Sequence, residues 1–463
     1  MKIHFIAIGG AAMHNLALAL HQLGHTITGS DDEIFEPSRG RLEKAGLLPD
    51  SMGWDADRIT EDLDAIILGM HARIDNPELI KAQEVGIKVY SYPEFIYEQS
   101  KDKKRVVIAG SHGKTTITSM ILHVLNKQGI EFDYLVGAQL EGFETMVKIS
   151  DAPIIIMEGD EYLSSPIDRR PKFHLYNPQL ALISGIAWDH INVFPTWENY
   201  KDQFSKFVDD LSEDSTLVYC KVDDTLNEII NNHGAGITKH GYDTPEYIIY
   251  NGNTAIVMDD KSYEISVFGE HNLQNLNGAR LICEQLGIDT PIFFDSIKDF
   301  KGASRRLEEI TRNTQSVIYK DFAHSPSKLL ATVNAVKDQW PNRKLVACME
   351  LHTFSSLTKE FLMEYKNTMQ KADKAIVFYK EETIAHKKLE PINPTDVREA
   401  FGRDDLEIYT KTDALQKALR SLDFSETNLL LMSSGNFGGM NVDEFAKGLL
   451  ASPNEYFGLR THN

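Results

Sequence analysis

Cysteine is scarce in this chain. Only Cys220, Cys283 and Cys348 occur, far apart and with no CxxC pair, which excludes a disulfide framework and a cysteine zinc site. Reduced, packed thiols of this kind fit a cytosolic enzyme. Long apolar runs are also missing. Residues 65–70 and 154–157 are typical of those present, well short of the ~20 needed to cross a bilayer. Positive charge is in deficit: 48 Lys plus Arg stand against 68 Asp plus Glu, a formal net charge of −20. So acidic a chain is no sequence-independent nucleic-acid binder, and an anionic membrane surface would repel it. A phosphate ligand must then meet a local positive field, from a few Lys and Arg, helix N-termini or metal ions. There is no internal repeat and no low-complexity tract. The opening MKIHFIAIGGAAM puts Lys2 before an apolar stretch, but Gly9-Gly10 breaks it and a helical pattern runs on. It reads as a first strand and helix rather than a signal peptide.

What is present is ordinary globular material. Hydrophobic residues at 42% and charged residues at 25% over 463 positions are enough for about three domains. Short apolar runs at 3–8, 26–28, 64–68 and 88–90 read as buried strands separated by helices, the pattern of a Rossmann-like open sheet. The polar stretch 99–105 is a linker. A second α/β unit follows, with strands at 105–109, 154–157, 180–184, 215–220 and 254–258 and helices at 197–209 and 272–286. Past 300–303 the alternation begins afresh, with strands at 316–320, 344–349, 374–378 and 428–433. The expectation is an α/β fold of three domains: a Rossmann-like N-terminal domain over 1–101, a central P-loop ATPase-like domain over 102–303 and a C-terminal Rossmann-like domain over 304–463.

The strongest local pattern is the apolar strand Val106-Val107-Ile108-Ala109 running into Gly110-Ser111-His112-Gly113-Lys114-Thr115-Thr116 and then a helix through Met120, Ile121, Val124 and Leu125. Backbone N–H groups of such a loop cradle phosphates at a helix N-terminus. Lys114, read as an exposed loop side chain, reaches the outer phosphates, and the Thr115 hydroxyl meets Mg²⁺. Two residues rather than four separate the glycines, and a chance Gly-Lys-Thr turn is the bland alternative. Gly9-Gly10-Ala11-Ala12-Met13 also follows a strand and opens a helix. Asp31 lies 22 residues after Gly9, near the acidic position of a dinucleotide site. Ala12 stands where the last Gly of GxGxxG belongs, so a plain strand–helix turn and a nucleotide site fit equally well.

Glu158-Gly159-Asp160-Glu161-Tyr162 and Asp189-His190 follow neighbouring strands, where an open α/β sheet binds ligand. They are candidate Mg²⁺ ligands, against a solvated loop and a packed or capping His. Gly269-Glu270-His271-Asn272, Ser304-Arg305-Arg306 and Asp321-Phe322-Ala323-His324-Ser325-Pro326 read alone as a helix cap, a charged hinge and a turn.

Taken in chain order, these pieces resemble the Mur ligase family, the ATP-dependent amide-forming enzymes of peptidoglycan synthesis, over essentially all 463 residues. The matching motifs are GSHGKTT at 110–116, EGDE at 158–161, DH at 189–190, GEHNLQN at 269–275, SRRLE at 304–308 and DFAHSP at 321–326. The shortened phosphate loop is this family's own form. Within the family, the start IHFIAIGGAAM is similar to the branch acting on UDP-N-acetylmuramate. EGDEY at 158–162, DRRPKF at 168–173 and SSGNFGG at 433–439 resemble the murein peptide ligases, which attach L-Ala-γ-D-Glu-meso-diaminopimelate in peptidoglycan recycling. The alternative is the branch that adds L-alanine in de novo synthesis. There are departures. Gly185 stands where the family usually has Asn, and Ser205 with Lys206 lies where some members carry a carbamylated Lys, so no carbamate is expected.

The resemblance implies ATP and Mg²⁺ as cofactors and an acyl phosphate intermediate. It puts Gly110, Ser111, His112, Gly113, Lys114, Thr115 and Thr116 on the ATP phosphates, with Asn272 and Asp321 on adenosine. Thr115 and Glu158 fall on one Mg²⁺, His190 on a second, and Arg306 reaches the γ-phosphate on domain closure. Lys114, Glu158, His190 and Arg306 are the catalytic set. Gly9, Gly10, Ala11, Ala12, Met13 and Asp31 hold the UDP moiety, and the C-terminal domain holds the acceptor. A cytoplasmic monomer acting without nucleic acid or membrane is expected. Two other classes compete: a nicotinamide dehydrogenase built on the first loop, which leaves GKTT unexplained, and a P-loop nucleotide-binding protein without bond-forming chemistry.

Overall fold

Strands covered on both faces show unbroken apolar runs instead of alternation. Ala65–Leu68 and Leu180–Ile183 are buried at every position, and Lys104–Ala109 at every position but the first. A computed structural model describes residues 1–140, 142–143, 145–188, 193–302 and 306–451. Among them the strands form four sheets. In the N-terminal sheet Thr26–Ser30, Lys2–Ile6, Ala65–Leu68 and Val89–Ser91 lie side by side, all parallel. The central sheet runs Thr238–Tyr242, Thr216–Cys220, Leu180–Ile183, Lys104–Ala109, Ile154–Glu158, Asp133–Leu135, Val147–Lys148, parallel except for the last pair. Tyr247–Tyr250, Asn253–Met258 and Lys261–Ile265 form an antiparallel meander. The C-terminal sheet runs Glu308–Arg312, Val317–Asp321, Thr427–Met432, Lys344–Glu350, Lys374–Phe378, Glu407–Tyr409, and only its first pair is antiparallel.

The α/β class and the parallel sheets are as expected. Two compact units emerge, Met1–Thr244 with Gln274–Ile297, and Pro245–Leu273 with Lys298 onward. In the first, one continuous core joins Phe5, Leu16 and Leu20 of the N-terminal layer to Val107, Phe173 and Phe204 of the central layer. In the second, separate cores cover the two faces of the C-terminal sheet. Leu329, Val333 and Phe401 lie on one face, and Leu415, Leu419 and Phe445 on the other.

A buried polar knot fastens the N-terminal sheet. Glu78 is 0% exposed and sits in the helix Pro77–Val85. One carboxylate oxygen accepts from the Ser30 hydroxyl and lies 3.3 Å from His4 Nε2; the other accepts from the Asp55 amide at 2.9 Å. Burial works against this carboxylate, but the His4, Asp55 and Ser30 bonds outweigh it and hold its pKa below the ordinary value. Glu78→Ala leaves those partners unsatisfied in a dry interior. Its unfolding free energy should fall by about 3–5 kcal/mol in urea denaturation; a loss below about 1 kcal/mol contradicts this account.

Candidate active site

The strand Lys104–Ala109 ends at a tight loop, and the helix Lys114–Lys127 begins directly after it. Gly110 sits at φ +119°, where any side chain would run into Ser184, so only glycine lets the loop close. Ser184 Oγ donates to the Ala109 carbonyl at 3.2 Å and to the His112 carbonyl. Ser111 N–H donates to the Gly185 carbonyl at 2.9 Å, and its hydroxyl pairs with Tyr200 at 2.7 Å. The loop is thus stitched to the next strand. Gly113 caps the helix with no side-chain bond, leaving first-turn N–H groups, those of Thr115 and Thr116 among them, in the arrangement that receives phosphate.

The sequence reading of Lys114 as an exposed loop residue is corrected by the structure. Its side chain is 14% exposed, and its ammonium donates to the Gly110 carbonyl at 2.6 Å and to Glu161 Oε2 at 2.7 Å. Burial disfavours the ammonium, yet the charges of Glu161, Asp160 and Glu158 more than compensate and raise its pKa. Thr115 Oγ1 donates to Glu158 Oε1 at 2.8 Å, while Glu158 Oε2 accepts the Gly137 amide at 2.8 Å. Asp160 pairs with Lys172 at 2.6 Å. Lys114, Thr115 and Glu158 are therefore brought together. Asp189 and His190 lie outside the described residues, and among those described no group of three or more His, Cys, Asp or Glu could hold a metal. Lys206 is exposed and pairs with Asp202 at 2.7 Å.

In the N-terminal turn, Asp31 Oδ2 accepts the Gly9 amide at 2.7 Å, and its Oδ1 accepts the Asp32 amide at 3.0 Å. Burial raises its pKa to about 6. Gly10 precedes the helix Ala11–Gln22, which includes Ala12 and Met13.

The second unit has its own set. Asp321 ends the strand Val317–Asp321 and accepts from the Ala323 amide at 2.6 Å and from the Leu307 amide. Burial pushes its pKa up to about 6, although the Arg306 charge and these amides pull the other way. Arg306 stacks over the Phe322 ring at 4.8 Å. Asn272 is buried and its side-chain amide donates to the Phe268 carbonyl at 2.9 Å. A cavity of about 210 Å³ opens beside Asp321, Lys320, Ser433, Asn436 and Asn441.

Three stretches match the family in series: the Mur ligase family catalytic domain over 2–104, the Mur ligase middle domain over 108–283 and the Mur ligase glutamate ligase domain over 305–435. The UDP-N-acetylmuramate–L-alanine ligase of Clostridium kluyveri is 31% identical over 381 residues, 79% of this chain and 81% of its own. The chain belongs to the Mur ligase family. It is an ATP-dependent ligase that forms a carbon–nitrogen bond and releases ADP and phosphate. The Ruthia magnifica UDP-N-acetylmuramate–L-alanine ligase is 28% identical over 459 residues, 94% of each chain. In fold, this Mur ligase is similar to the Thermotoga maritima UDP-N-acetylmuramate–alanine ligase, with a TM-score of 0.70 at 20% identity over 99% of this chain and 100% of that one. It is also similar to the Psychrobacter arcticus murein peptide ligase, with a TM-score of 0.62 at 21% identity over 97% and 98%.

The sequence reading of this Mur ligase named Glu161 only as a candidate Mg²⁺ ligand, and it missed Tyr200 and Glu350. Glu161 is the ion partner of Lys114, Tyr200 also reaches Glu161 at 3.3 Å, and Glu350 lies buried in the second unit. Glu350 had a signal available, because it ends the apolar strand Lys344–Glu350 just as Glu158 ends its own.

Two outcomes follow from this geometry. Lys114→Met should lower kcat ~10²–10³-fold, the cost of losing a group that stabilises transferring charge. It also strands Glu161 in the interior, so Lys114→Met/Glu161→Gln should regain thermal stability without regaining activity; a folded, active double variant removes Lys114 from the chemistry. The second outcome concerns pH. Asp321 has a folded pKa near 6 against an ordinary 3.8, so its contribution is fully present below the ordinary value and is lost as pH rises through about 6. The urea midpoint of the unsubstituted protein relative to Asp321→Asn should therefore fall between pH 4 and pH 7; a gap that is flat or rising contradicts the burial.

Proposed function

We propose that this Mur ligase activates the lactyl carboxylate of UDP-N-acetylmuramate as an acyl phosphate and passes the acyl group to the amine of L-alanine. The partly buried Lys114 at an uncapped helix start, beside Thr115 and Glu158, carries the phosphoryl-transfer half. The acceptor rests on relatives named for L-alanine at 31% and 30% identity across about four-fifths of both chains. First, a carboxylate oxygen attacks the γ-phosphorus, the bond to the bridging oxygen breaks and ADP leaves. The amine then attacks the carbonyl carbon, forms a tetrahedral intermediate, loses a proton and expels phosphate.

Both reactants of the first step are anions, so the protein's work is charge neutralisation and alignment. Lys114 supplies a fixed positive charge, and the amides of the loop over 110–116 hold the phosphates. Thr115 and Glu158 are hard oxygen donors that suit Mg²⁺, with His190 assigned to a second ion; the ion, when bound, neutralises phosphate charge. Asn272 and Asp321 are assigned to adenosine and Arg306 to the γ-phosphate. The turn of Gly9 to Met13, shaped by Asp31, is assigned to the UDP moiety. The setting is a cytoplasmic monomer.

A second reading, the recycling tripeptide as acceptor, draws on one observation. Ser164 and Asp168 to Arg170 fold into a compact hairpin, closed by the Leu163–Pro171 bridge and by the Arg170–Asp168 ion pair at 2.6 Å, that leaves Arg169 exposed to meet a carboxylate. Coupled ADP release decides between them. With L-alanine as acceptor, kcat/KM should exceed that with L-Ala-γ-D-Glu-meso-diaminopimelate. A ratio of ~100-fold or more the other way, the worth of two charge-assisted hydrogen bonds, assigns the tripeptide.

A further inference from the structure

The helix Ala11–Gln22 begins in the N-terminal turn and carries two polar side chains into the interior, His14 at 2% and Asn15 at 0% exposure. Buried polar groups persist only when paired, and these pairs form a line. His14 Nδ1 bonds the Gly10 carbonyl at 2.9 Å, and Asn15 Nδ2 donates to the Ala11 carbonyl at 2.8 Å and to His14 Nε2 at 3.0 Å. The neutral tautomer protonated on Nδ1 suits both ring nitrogens: Nδ1–H faces the Gly10 carbonyl and the Ser38 hydroxyl oxygen at 3.0 Å, and Nε2 accepts from Asn15. Asn15 Oδ1 turns the other way and accepts the Met146 amide at 3.1 Å. The Met146 carbonyl accepts the Val136 amide at 3.0 Å, within the antiparallel pair that sets Leu135 opposite Val147. The next amide, that of Gly137, fixes Glu158 Oε2, and Glu158 Oε1 faces Thr115. A second tie runs beside it, from the Arg41 guanidinium to Gln139 Oε1 at 3.2 Å.

We propose that Asn15 is a positioning residue that couples occupancy of the N-terminal turn to the geometry of the Thr115–Glu158 pair. This rests on the reading above, in which that turn holds the UDP donor. A diphosphate drawing on the first-turn amides of Ala11–Gln22 shifts the peptide units whose carbonyls His14 and Asn15 hold. The shift reaches Met146, crosses the strand pair and arrives at the amide that fixes Glu158. Asparagine suits the position because it donates towards the turn and accepts from the strand at once. Coupling of this kind is reciprocal: the donor and the Mg²⁺–nucleotide tighten each other's binding.

The test is calorimetric titration of the full chain with Mg²⁺ and adenylyl imidodiphosphate, with and without saturating UDP-N-acetylmuramate. The unsubstituted protein should bind the nucleotide ~5-fold or more tighter with the donor present, and Asn15→Leu should bring that ratio close to one. The ratio is the readout, so a change in either single affinity does not mimic the effect. An unchanged ratio in Asn15→Leu, or a ratio of one in the unsubstituted protein, overturns the proposal. Should Asn15→Leu fail to fold, hydrogen exchange on the unsubstituted protein replaces it. The donor alone must slow exchange at the Met146 and Gly137 amides, and unaltered rates there overturn the coupling. Loss of the functional reading looks different, because UDP-N-acetylmuramate then gives no binding heat at all.

Discussion

Four carboxylates at the carboxyl ends of parallel strands hold the loops from which both units build their candidate sites. Asp31 takes the amide of Gly9, Glu158 that of Gly137, Asp321 those of Leu307 and Ala323, and Glu350 that of Phe437. All but the Asp321–Ala323 bond run from a strand end to a loop that flanks another strand. Loops of this kind are rich in glycine and bring few side chains of their own to anchor them. A charge-assisted bond to a backbone N–H is a strong anchor. It also satisfies a carboxylate that could not otherwise be buried. Acidic residues at these ends are therefore structural before they are chemical, and Lys114, bonded to Glu161 and near Asp160 and Glu158, places a cation at the start of the helix Lys114–Lys127.

That dual use explains how far the sequence could be read. Central strands were visible because burial on both faces makes them apolar throughout, as in Lys344–Glu350 and Thr427–Met432. Asp133–Leu135, Val147–Lys148, Glu308–Arg312 and Glu407–Tyr409 were not. They are short or polar, and they lie at or beside sheet edges, where pairing on one side needs no apolar run. The meander strand Tyr247–Tyr250 keeps its Ile and Tyr exposed, so its residues look like a buried strand and behave as an edge. In the site, the strand–loop–helix over 104–127 was legible because an apolar run, a glycine loop and a helical pattern follow one another there. Glu161 was not, because four adjacent residues 158–161 offer three carboxylates, and only packing decides which one meets Lys114.

The four carboxylates also differ in a way that bears on metal binding. Asp31 and Asp321 each give both oxygens to backbone amides, which cannot turn away. Burial leaves both with pKa values near 6. They are fasteners, and a cation could approach them only by breaking the loop they hold. Glu158 is bonded to an amide through one oxygen alone. Its other oxygen meets the Thr115 hydroxyl, whose hydrogen rotates freely about the C–O bond. Turning that hydrogen aside exposes two oxygen lone pairs at once and moves no backbone atom. Glu158 can thus exchange a hydrogen bond for a cation while still holding its loop, and it lies beside the loop over 110–116. The same retained bond to Gly137 is what leaves Glu158 sensitive to whatever displaces that amide, which is why a polar residue as distant in sequence as Asn15 can matter to it.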